Sequence, residues 1–200
     1  MKLMENNCPL CGKIVKNYGL CPACYELVNK NPTFYYDIEG LDDLIVSSTY
    51  SGIMRRLIID FKFKGKLSYG EIISEIMIEK LLERNLSEVV LTFVPMHPRR
   101  ERERGYNQSR ILAETIAKKL DLECQEVFEK VKDTKFQVGL KKDKRQENLK
   151  NAFAVKKAPE EIIIVDDVIT TGTTIAELIK VAKASGIKKV TALIAATEIA

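Results

Sequence analysis

The chain lacks any uninterrupted apolar stretch of about 18 residues, the length at which a segment becomes a candidate membrane-spanning helix. Its first residues, MKLMENN, lack the apolar core of a secretion signal. The sequence has no internal repeat and no low-complexity stretch. These absences argue against a transmembrane or repeat protein, and we expect a soluble, cytoplasmic chain without membrane insertion.

A strong excess of one charge is also missing. The 200 residues carry 32 Lys and Arg against 28 Asp and Glu, a formal net charge of +4. This mild basicity suits anionic ligands but falls short of the dense cationic face of a dedicated nucleic-acid binder. With 46% hydrophobic and 30% charged residues, the composition is that of one globular domain with at most a small appendage.

Cysteine is scarce, and its placement is informative. Four of the five cysteines form two pairs, Cys8 with Cys11 and Cys21 with Cys24, separated by nine residues. Two CxxC knuckles can supply four thiolates to a tetrahedral Zn²⁺ site. We predict a structural zinc segment over residues 1–30, because four thiolates leave no open position for catalysis and so short a segment needs a metal to fold. Iron ligation, two redox dithiols and two disulfides remain alternatives, whereas Cys124 reads as an inert packed thiol.

Residues 31–200 alternate between strand-like and helix-like patterns. Strands are predicted at 44–49, 89–94, 162–165 and 189–196; helices at 71–84, 108–120 and after Thr174; and a short helical segment at 53–59. This alternation predicts an α/β domain with a mainly parallel sheet flanked by helices. The stretch FKFKGK, residues 61–66, alternates aromatic and basic residues. It fits either a strand edge or turn, or a basic surface with aromatic stacking platforms.

The stretch EIIIVDDVITTGTT, residues 161–174, contains the predicted ligand site. Ile162 to Val165 is typical of a strand covered on both faces, and Asp166 and Asp167 mark its carboxyl end, where open α/β sheets bind ligands. The small residues Thr170, Thr171, Gly172, Thr173 and Thr174 then lead into a helix, so backbone N–H groups and the helix N-terminus can hold an anion.

Carboxylates beside a phosphate loop suit a sugar phosphate, with the acids accepting hydrogen bonds from ribose hydroxyls. The loop supplies no lysine, unlike the GxxxxGK[ST] loop that binds nucleoside triphosphates. The plainer interpretation is a strand, a turn and a helix capped by Thr173 or Thr174, with two solvated aspartates.

A second polar loop, PMHPRRERERGYNQ at residues 95–108, also follows a predicted strand. Its arginines can fork onto a multiply charged phosphate, and Arg99 and Arg104 are the leading candidates. His97, the only histidine, is either structural or a phosphate-contacting or acid–base group. Arg100 and Arg102 alternatively belong to a solvated helix start held by its own ion pairs.

The VDDVITTGTT segment resembles the phosphoribosyl pyrophosphate (PRPP) motif of type I phosphoribosyltransferases. Taken with the two CxxC pairs, FKFKG and VPMHPRRERERGYNQS, it is similar over nearly the whole chain to the ComF family of competence-associated, phosphoribosyltransferase-like proteins. The resemblance implies a type I phosphoribosyltransferase-like fold over residues 31–200 that binds PRPP with Mg²⁺.

The same resemblance assigns roles to individual residues. Asp166 and Asp167 would be the catalytic acids at the ribose, and Thr170 to Thr174 would hold the 5′-phosphate. The pyrophosphate loop would contain His97, Pro98, Arg99 and Arg100, with Arg104 added from the arginine pattern. A hood is implied at residues 134–153, where Arg145 and Asn148 match the R-x-x-N pattern of the family. The basic run of the hood is alternatively only a solvated loop.

The family resemblance implies a role in DNA uptake and natural transformation, acting on single-stranded DNA beside a helicase-like competence ATPase. The alternative is an active phosphoribosyltransferase of nucleotide salvage or synthesis. Its acceptor cannot be read from the residues, so the sequence leaves open whether the chain is an enzyme. A third interpretation, a zinc-dependent DNA-binding module, leaves VDDVITTGTT without a purpose.

Overall fold

The computed structural model describes residues 6–15, 19–28, 30–86, 88–132, 149 and 151–198. In chain order the elements are β1 Asn6–Asn7, β2 Ile14–Val15, α1 Pro22–Glu26, β3 Asp43–Val46, α2 Gly52–Phe63, α3 Ser68–Leu81, β4 Val90–Phe93, α4 Pro98–Arg104, α5 Gln108–Leu120, β5 Glu123–Cys124, β6 Phe128–Lys130, β7 Phe153–Val155, β8 Glu161–Ile169, α6 Thr173–Ala184 and β9 Lys189–Thr197. Each helix and strand predicted from the sequence has a counterpart among them.

The central sheet has five strands in the order β3-β9-β8-β4-β5, and every neighbouring pair is parallel. The expected α/β architecture, a mainly parallel sheet flanked by helices with a small amino-terminal cysteine segment, is therefore confirmed. Two short strands, β6 and β7, pair antiparallel outside this sheet. The sequence did not predict them, because strands of three residues carry too little pattern to be recognised.

Two hydrophobic cores lie on the two faces of the sheet. One contains the buried side chains of α2, α3 and α5 together with Ile163 and Val165 of β8, and the other contains those of α6 with Ile162 and Ile164. Successive side chains of a strand point to opposite faces, so a strand buried on both faces carries an unbroken apolar run. The apolar run of β8 is explained in this way.

Strand β8 extends four residues beyond its predicted end at Val165. Its pairing with β4 stops at Phe93 opposite Val165, whereas its pairing with β9 continues to Ile169 opposite Thr197. Asp166 and Asp167 therefore lie within the strand and past the end of β4, not after the strand as predicted. The apolar run showed where burial ends, but the extra ladder with β9 depends on tertiary pairing.

The FKFKG stretch is not a strand edge, which corrects one of its two sequence interpretations. Helix α2 continues to Phe63, with Met54, Leu57, Ile58 and Phe61 buried at helical spacing. The turn at Gly65, whose φ is 64°, follows the helix end. Phenylalanine and lysine alternate over only four residues, as in a strand. The helical spacing of apolar residues extends over the whole of α2 and decides the conformation.

The cysteine segment packs against helices α2 and α3. Leu10, Leu20 and Tyr25 contact the core that those helices share, and Tyr69 of α3 donates a hydrogen bond to the carbonyl of Pro9 at 3.3 Å. Tyr25 also donates to Glu79. A domain boundary near residue 30 stays a prediction, since the two parts share these contacts. Across the described ranges, no helix is long and apolar enough to cross a bilayer.

Candidate functional site

A cavity of about 1050 Å³ opens beyond the end of β4, beside the last part of β8. Its lining includes Lys62, Phe63, His97, Arg100, Arg104, Ser109, Asp166, Asp167 and Thr170 to Thr174. The loop after β4 and the end of β8, which the family resemblance assigned to one ligand, thus face one space. Among the predicted residues, Pro98 and Arg99 do not line the cavity. Arg145 and Asn148, and with them most of the predicted hood, lie outside the described residues.

Asp167 is paired with a lysine that the sequence analysis did not select. Lys62 Nζ lies 2.7 Å from Oδ2 and 2.8 Å from Oδ1 of Asp167, and the exposed fractions of the two side chains are 20% and 3%. Burial opposes protonation of Lys62, but the adjacent Asp167 carboxylate outweighs it and the pKa of Lys62 is raised. The two groups form a largely buried ion pair at neutral pH.

Asp166 has a different environment from its neighbour. Ser109 Oγ donates to Asp166 Oδ1 at 2.7 Å, and the Asp167 backbone N–H donates to the same oxygen at 2.9 Å. Burial, and next the charge of Asp167, raise the pKa of Asp166 to about 7 against the opposing effects of Lys62 and these hydrogen bonds. Asp166 can therefore accept a hydrogen bond from a hydroxyl or exchange a proton near neutral pH.

The loop between β8 and α6 is built on Gly172. This glycine, not Thr173 or Thr174, is the N-cap of α6, and its φ is 72°. The positive φ favours glycine, and a Cβ at this position would also lie 3.0 Å from Ile38 Cδ1, so the Ile38 side chain would have to shift. The side chains of Thr171 and Thr173 are hydrogen-bonded to each other at 2.8 Å.

Tyr36 anchors this loop from outside. Its hydroxyl lies 3.0 Å from the carbonyl oxygen of Thr170 and 2.8 Å from Thr197 Oγ1. A fixed carbonyl at Thr170 fixes the peptide planes that follow, and therefore the directions of the N–H groups that precede α6. Loop and helix together form a small-residue concavity suited to an anion.

The arginines of the second loop lie on a seven-residue helix, α4, and not all of them line the cavity. Arg100 and Arg104, four residues apart, both line the cavity. Arg99 does not line the cavity but pairs with Glu103, which does, with 3.1 Å between Nε and Oε1, and both side chains are well exposed. Arg99 was predicted as a leading phosphate contact, but its side chain does not line the cavity. The prediction took the segment as a loop and did not consider which arginines share one side of a helix.

His97 and Asn107 cap the helices that follow them. The backbone N–H of Arg99 donates to His97 Nδ1 at 3.3 Å at the start of α4. Asn107 Oδ1 accepts from the N–H groups of Ser109 and Arg110, while its Nδ2 donates to the carbonyl of Val94 at 3.1 Å. Asn107 thus ties the start of α5 to the segment after β4 and places Ser109 beside Asp166.

Sequence reasoning missed Lys62, Ser109, Asn107 and Tyr36. Asn107 carried a usable signal, because Asn immediately before an amphipathic run is a common N-cap. The apolar spacing of α2 through Phe61 would have placed Lys62 on a helix. Nothing local indicates that Lys62 meets Asp167 or that Tyr36 meets Thr170.

The four amino-terminal cysteines converge at a second site. The sulfur atoms of Cys8, Cys11, Cys21 and Cys24 all lie within 4.8 Å of one another, and three of these residues are buried. Tetrahedral zinc with Zn–S bonds of about 2.3 Å separates its sulfurs by about 3.8 Å, so the donor set fits. Gly12, with φ of 76°, donates its N–H to the Cys8 carbonyl at 2.9 Å and closes the first knuckle. These cysteines could hold a metal.

Electrostatics at the cysteine site also favour a cation. Burial of the Cys8 thiol opposes its ionisation, but hydrogen bonds from the N–H groups of Cys21, Cys11 and Leu10 outweigh it and lower its pKa to about 6. Burial and the neighbouring thiols raise the pKa of Cys24 to about 12. Four such thiols cannot all ionise together unless a bound cation compensates their charge.

Comparison with known proteins gives relatives that span most of the chain. Competence protein F of Haemophilus influenzae is 27% identical over 195 residues, 92% of this chain and 81% of the relative. The DNA utilization protein YhgH of Escherichia coli K12 is 28% identical over 86% of this chain and 75% of the relative. Competence protein ComFC of Bacillus subtilis is 27% identical over 87% of this chain and 70% of the relative. No model of a known protein family matches the chain.

A comparison with solved structures gives the allosteric regulatory enzyme of purine biosynthesis. Its TM-score is 0.43 with 17% identity, over 63% of this chain and only 25% of that enzyme. We base no conclusion on a TM-score this low. The fold assignment depends on the strand order and the cysteine cluster described above.

Proposed function

The resemblance to the ComF family is confirmed by the relatives named for competence and DNA utilization, and on that premise we propose that this chain is a PRPP-binding protein of the ComF type. It would act in the cytoplasm in DNA uptake and natural transformation, on single-stranded DNA and beside a helicase-like competence ATPase. The names of the relatives support the role, and the cavity supports the ligand.

One observation carries the PRPP proposal: the acid pair and the small-residue loop face one cavity together with cationic side chains. In our assignment the loop Thr170 to Thr174 holds the 5′-phosphate and Asp166 accepts hydrogen bonds from the ribose hydroxyls. His97, Arg100 and Arg104 lie on the side where the diphosphate would be neutralised. Mg²⁺ bound with PRPP would neutralise further phosphate charge, as is usual where this ion contacts substrate oxygens.

The Lys62 pair modifies the role expected for Asp167. With both of its oxygens within 2.8 Å of Lys62 Nζ, Asp167 fixes the position of that ammonium at the cavity wall. We assign the ribose contact to Asp166 first and treat Asp167 as the residue that positions Lys62. The hood residues Arg145 and Asn148 keep their proposed role in covering the ligand, and the four cysteines their proposed structural Zn²⁺.

The second candidate function is an active phosphoribosyltransferase. Two observations favour it: the cavity volume of about 1050 Å³ slightly exceeds the range of about 300–1,000 Å³ for small-molecule sites, which leaves room for a second ligand, and the pKa of Asp166 is raised to about 7. A second ligand would then attack C1 of the ribose as the bond from C1 to the diphosphate oxygen breaks. Asp166 could take the proton that the attacking N–H or O–H loses.

Calorimetric titration of the zinc-loaded protein with PRPP and Mg²⁺ tests the first proposal. We expect binding by the natural sequence and none by the double variant Asp166→Asn with Asp167→Asn. Glu161→Gln is the matched control, because Glu161 lies at the opposite end of β8 and pairs only with Lys189 among the contacts described. Undiminished PRPP binding by the double variant would show that Asp166 and Asp167 do not contribute to PRPP binding.

A screen for pyrophosphate release separates the two candidates. PRPP is offered with nucleobases, amines and single-stranded DNA in turn, and released pyrophosphate is measured. Release with any acceptor that disappears in the double variant establishes a transferase, whereas PRPP binding without release establishes a binding module.

A further inference from the structure

Phe63, the last residue of α2, is an exposed aromatic side chain at the rim of the cavity. It lines the cavity and remains 69% exposed. Phe61, two residues earlier, is fully buried, and its ring lies 5.7 Å from that of Tyr106. The same helix end thus buries one phenyl ring in the core and presents another to solvent.

The exposure of Phe63 does not come from a loosely held segment. Asp60, buried to 3% exposure, pairs with Lys64 at 2.7 Å and with Lys66 at 2.8 Å, which fixes the turn that follows the helix. Tyr106 donates a hydrogen bond to the carbonyl of Phe61 and anchors the preceding turn. These contacts fix the residues before and after Phe63 in the sequence. The backbone that carries the Phe63 ring is therefore fixed as well.

One face of the Phe63 ring is already covered by a cation. The guanidinium carbon of Arg104 lies 5.3 Å from the ring centroid, and Arg104 Nη1 donates to Gln108 Oε1 at 2.7 Å. The hydrogen bond orients the guanidinium, and the cation–π contact orients the ring. Because Phe63 remains 69% exposed despite this contact, a planar group can stack on the opposite ring face.

The charge around the ring suits a nucleic-acid strand. Two lysines, Lys64 and Lys66, share the single carboxylate of Asp60 and leave a net charge of +1 beside Phe63. Sites for single-stranded nucleic acid combine this kind of basic surface with aromatic rings on which bases stack. An unpaired base offers the planar face, and the phosphates that flank it offer the negative charge.

We propose that Phe63, backed by Arg104, is the platform on which an unpaired base of single-stranded DNA stacks at the mouth of the cavity. This inference depends on the proposed function and names the second ligand of the same site. The proposal also assigns a role to each residue at the start of the FKFKG stretch. Phe61 is buried in the core, Lys62 pairs with Asp167, and Phe63 contacts the single-stranded DNA.

Fluorescence anisotropy with a labelled oligothymidylate tests the platform. Phe63→Ala should weaken binding by about tenfold, within the range measured for the loss of one stacked base. Phe63→Tyr should restore the affinity, because it keeps the ring. Leu67→Ala is the matched control, since Leu67 is 51% exposed on the same surface but outside the cavity, and it should change the affinity by less than about twofold.

An abasic deoxyribose-phosphate oligomer of the same length separates stacking from phosphate contacts. The natural protein and Phe63→Ala should bind this oligomer equally. The proposal would be overturned if Phe63→Ala lost equal affinity for the intact and the abasic oligomer. It would also be overturned if Phe63→Ala bound the intact oligomer with unchanged affinity. If thymine as a free base binds the natural protein and not the variant while DNA binding is unaffected, the occupant is a small nucleobase and the DNA assignment is wrong.

PRPP binding by the natural protein is titrated in the same preparation. Failure there refutes the proposed function of the cavity, whereas failure of the Phe63 comparison refutes only the platform. A thermal melt of Phe63→Ala checks its folding, which we expect to be intact because the truncated ring is exposed.

Discussion

The cysteine cluster and the acid pair both gather ionisable groups of one kind in a partly buried place, but they balance the charge differently. Among the described contacts, the thiols receive hydrogen bonds from backbone N–H groups and from one another, and the pKa of Cys8 is lowered while that of Cys24 is raised. The carboxylates have partners from distant helices, Lys62 for Asp167 and Ser109 for Asp166.

The two sites differ in the source of the positive charge that stabilises them. The cysteine cluster needs a cation from outside the chain, so its formation and its folding are one event. The acid pair has a cation from the chain itself and is assembled before any ligand arrives. Metal should therefore control the structure of the first site, whereas substitutions and pH should tune the second.

Cys21→Ser should have the largest effect. Structural zinc contributes apparent binding free energies of about 10–16 kcal/mol in small zinc-binding segments, as much as the whole stability of many domains. We expect loss of the bound metal and a large fall in melting temperature, measured by metal analysis and circular dichroism. Chelation of the metal from the natural protein should reproduce the change.

Cys124→Ser is the control for that variant. Burial raises the pKa of Cys124 to about 11, as expected for a packed thiol, and it lies outside the cluster. Its metal content should equal that of the natural protein. Normal metal content in Cys21→Ser would show that the four thiols do not form the site.

Lys62→Met should have the next largest effect, because it leaves the buried Asp167 carboxylate without its cation. Breaking a buried pair from one side costs about 3–5 kcal/mol, and the small exposure of Lys62 places this pair near the lower bound. We expect a drop of about 3 kcal/mol in the free energy of unfolding, measured in urea.

Combining Lys62→Met with Asp167→Asn sharpens that test. The double variant removes both charges, so it should lose less stability than the sum of the two single variants. Additive losses would mean that the two side chains do not interact in solution.

Asp166→Asn should have a smaller effect that depends on pH. The folded pKa of Asp166, about 7, lies above the unfolded value of about 3.9, so the stability due to its neutral form is complete below the unfolded value and lost as pH rises through 7. The asparagine amide would stay neutral, and its oxygen can still accept from Ser109 and from the Asp167 N–H. Relative to the natural protein, the variant should gain about 2.5 kcal/mol between about pH 5 and about pH 8.

Urea unfolding midpoints at the two pH values measure this gain. The charged and polar groups that act on Asp166 are Asp167, Lys62 and Ser109, and all three are kept in the variant. A variant whose relative stability is the same at both pH values would show that Asp166 is ionised throughout.

Tyr36→Phe should have the smallest effect. It removes the hydroxyl that contacts the Thr170 carbonyl and Thr197 but keeps the ring against Gly172. We expect a loss of about 1 kcal/mol in stability and a several-fold weaker affinity for PRPP, measured by calorimetry. Unchanged PRPP affinity would show that the loop holds its conformation without this anchor.

Features formed by residues close in sequence were predictable. The two CxxC pairs lie within 17 residues of one another, and their turns depend on local glycine and proline chemistry. The strand, loop and helix around Gly172 are likewise consecutive, so their order alone predicted a ligand site. The helical phase that sends Arg100 and Arg104 to the cavity, and Arg99 to Glu103, was present in the sequence but was not used.

The sequence by itself determined the parallel α/β class, the cysteine cluster and the acid pair beside the small-residue loop, because hydrophobic period and turn chemistry act over a few residues. Tertiary structure alone decided that Lys62 pairs with Asp167, 105 positions away, that Ser109 meets Asp166 and that Tyr36 holds the loop. Such pairs depend on the strand order and on how α2 and α5 pack against β8. No local pattern encodes that packing, since each side chain finds its partner only after the sheet has assembled.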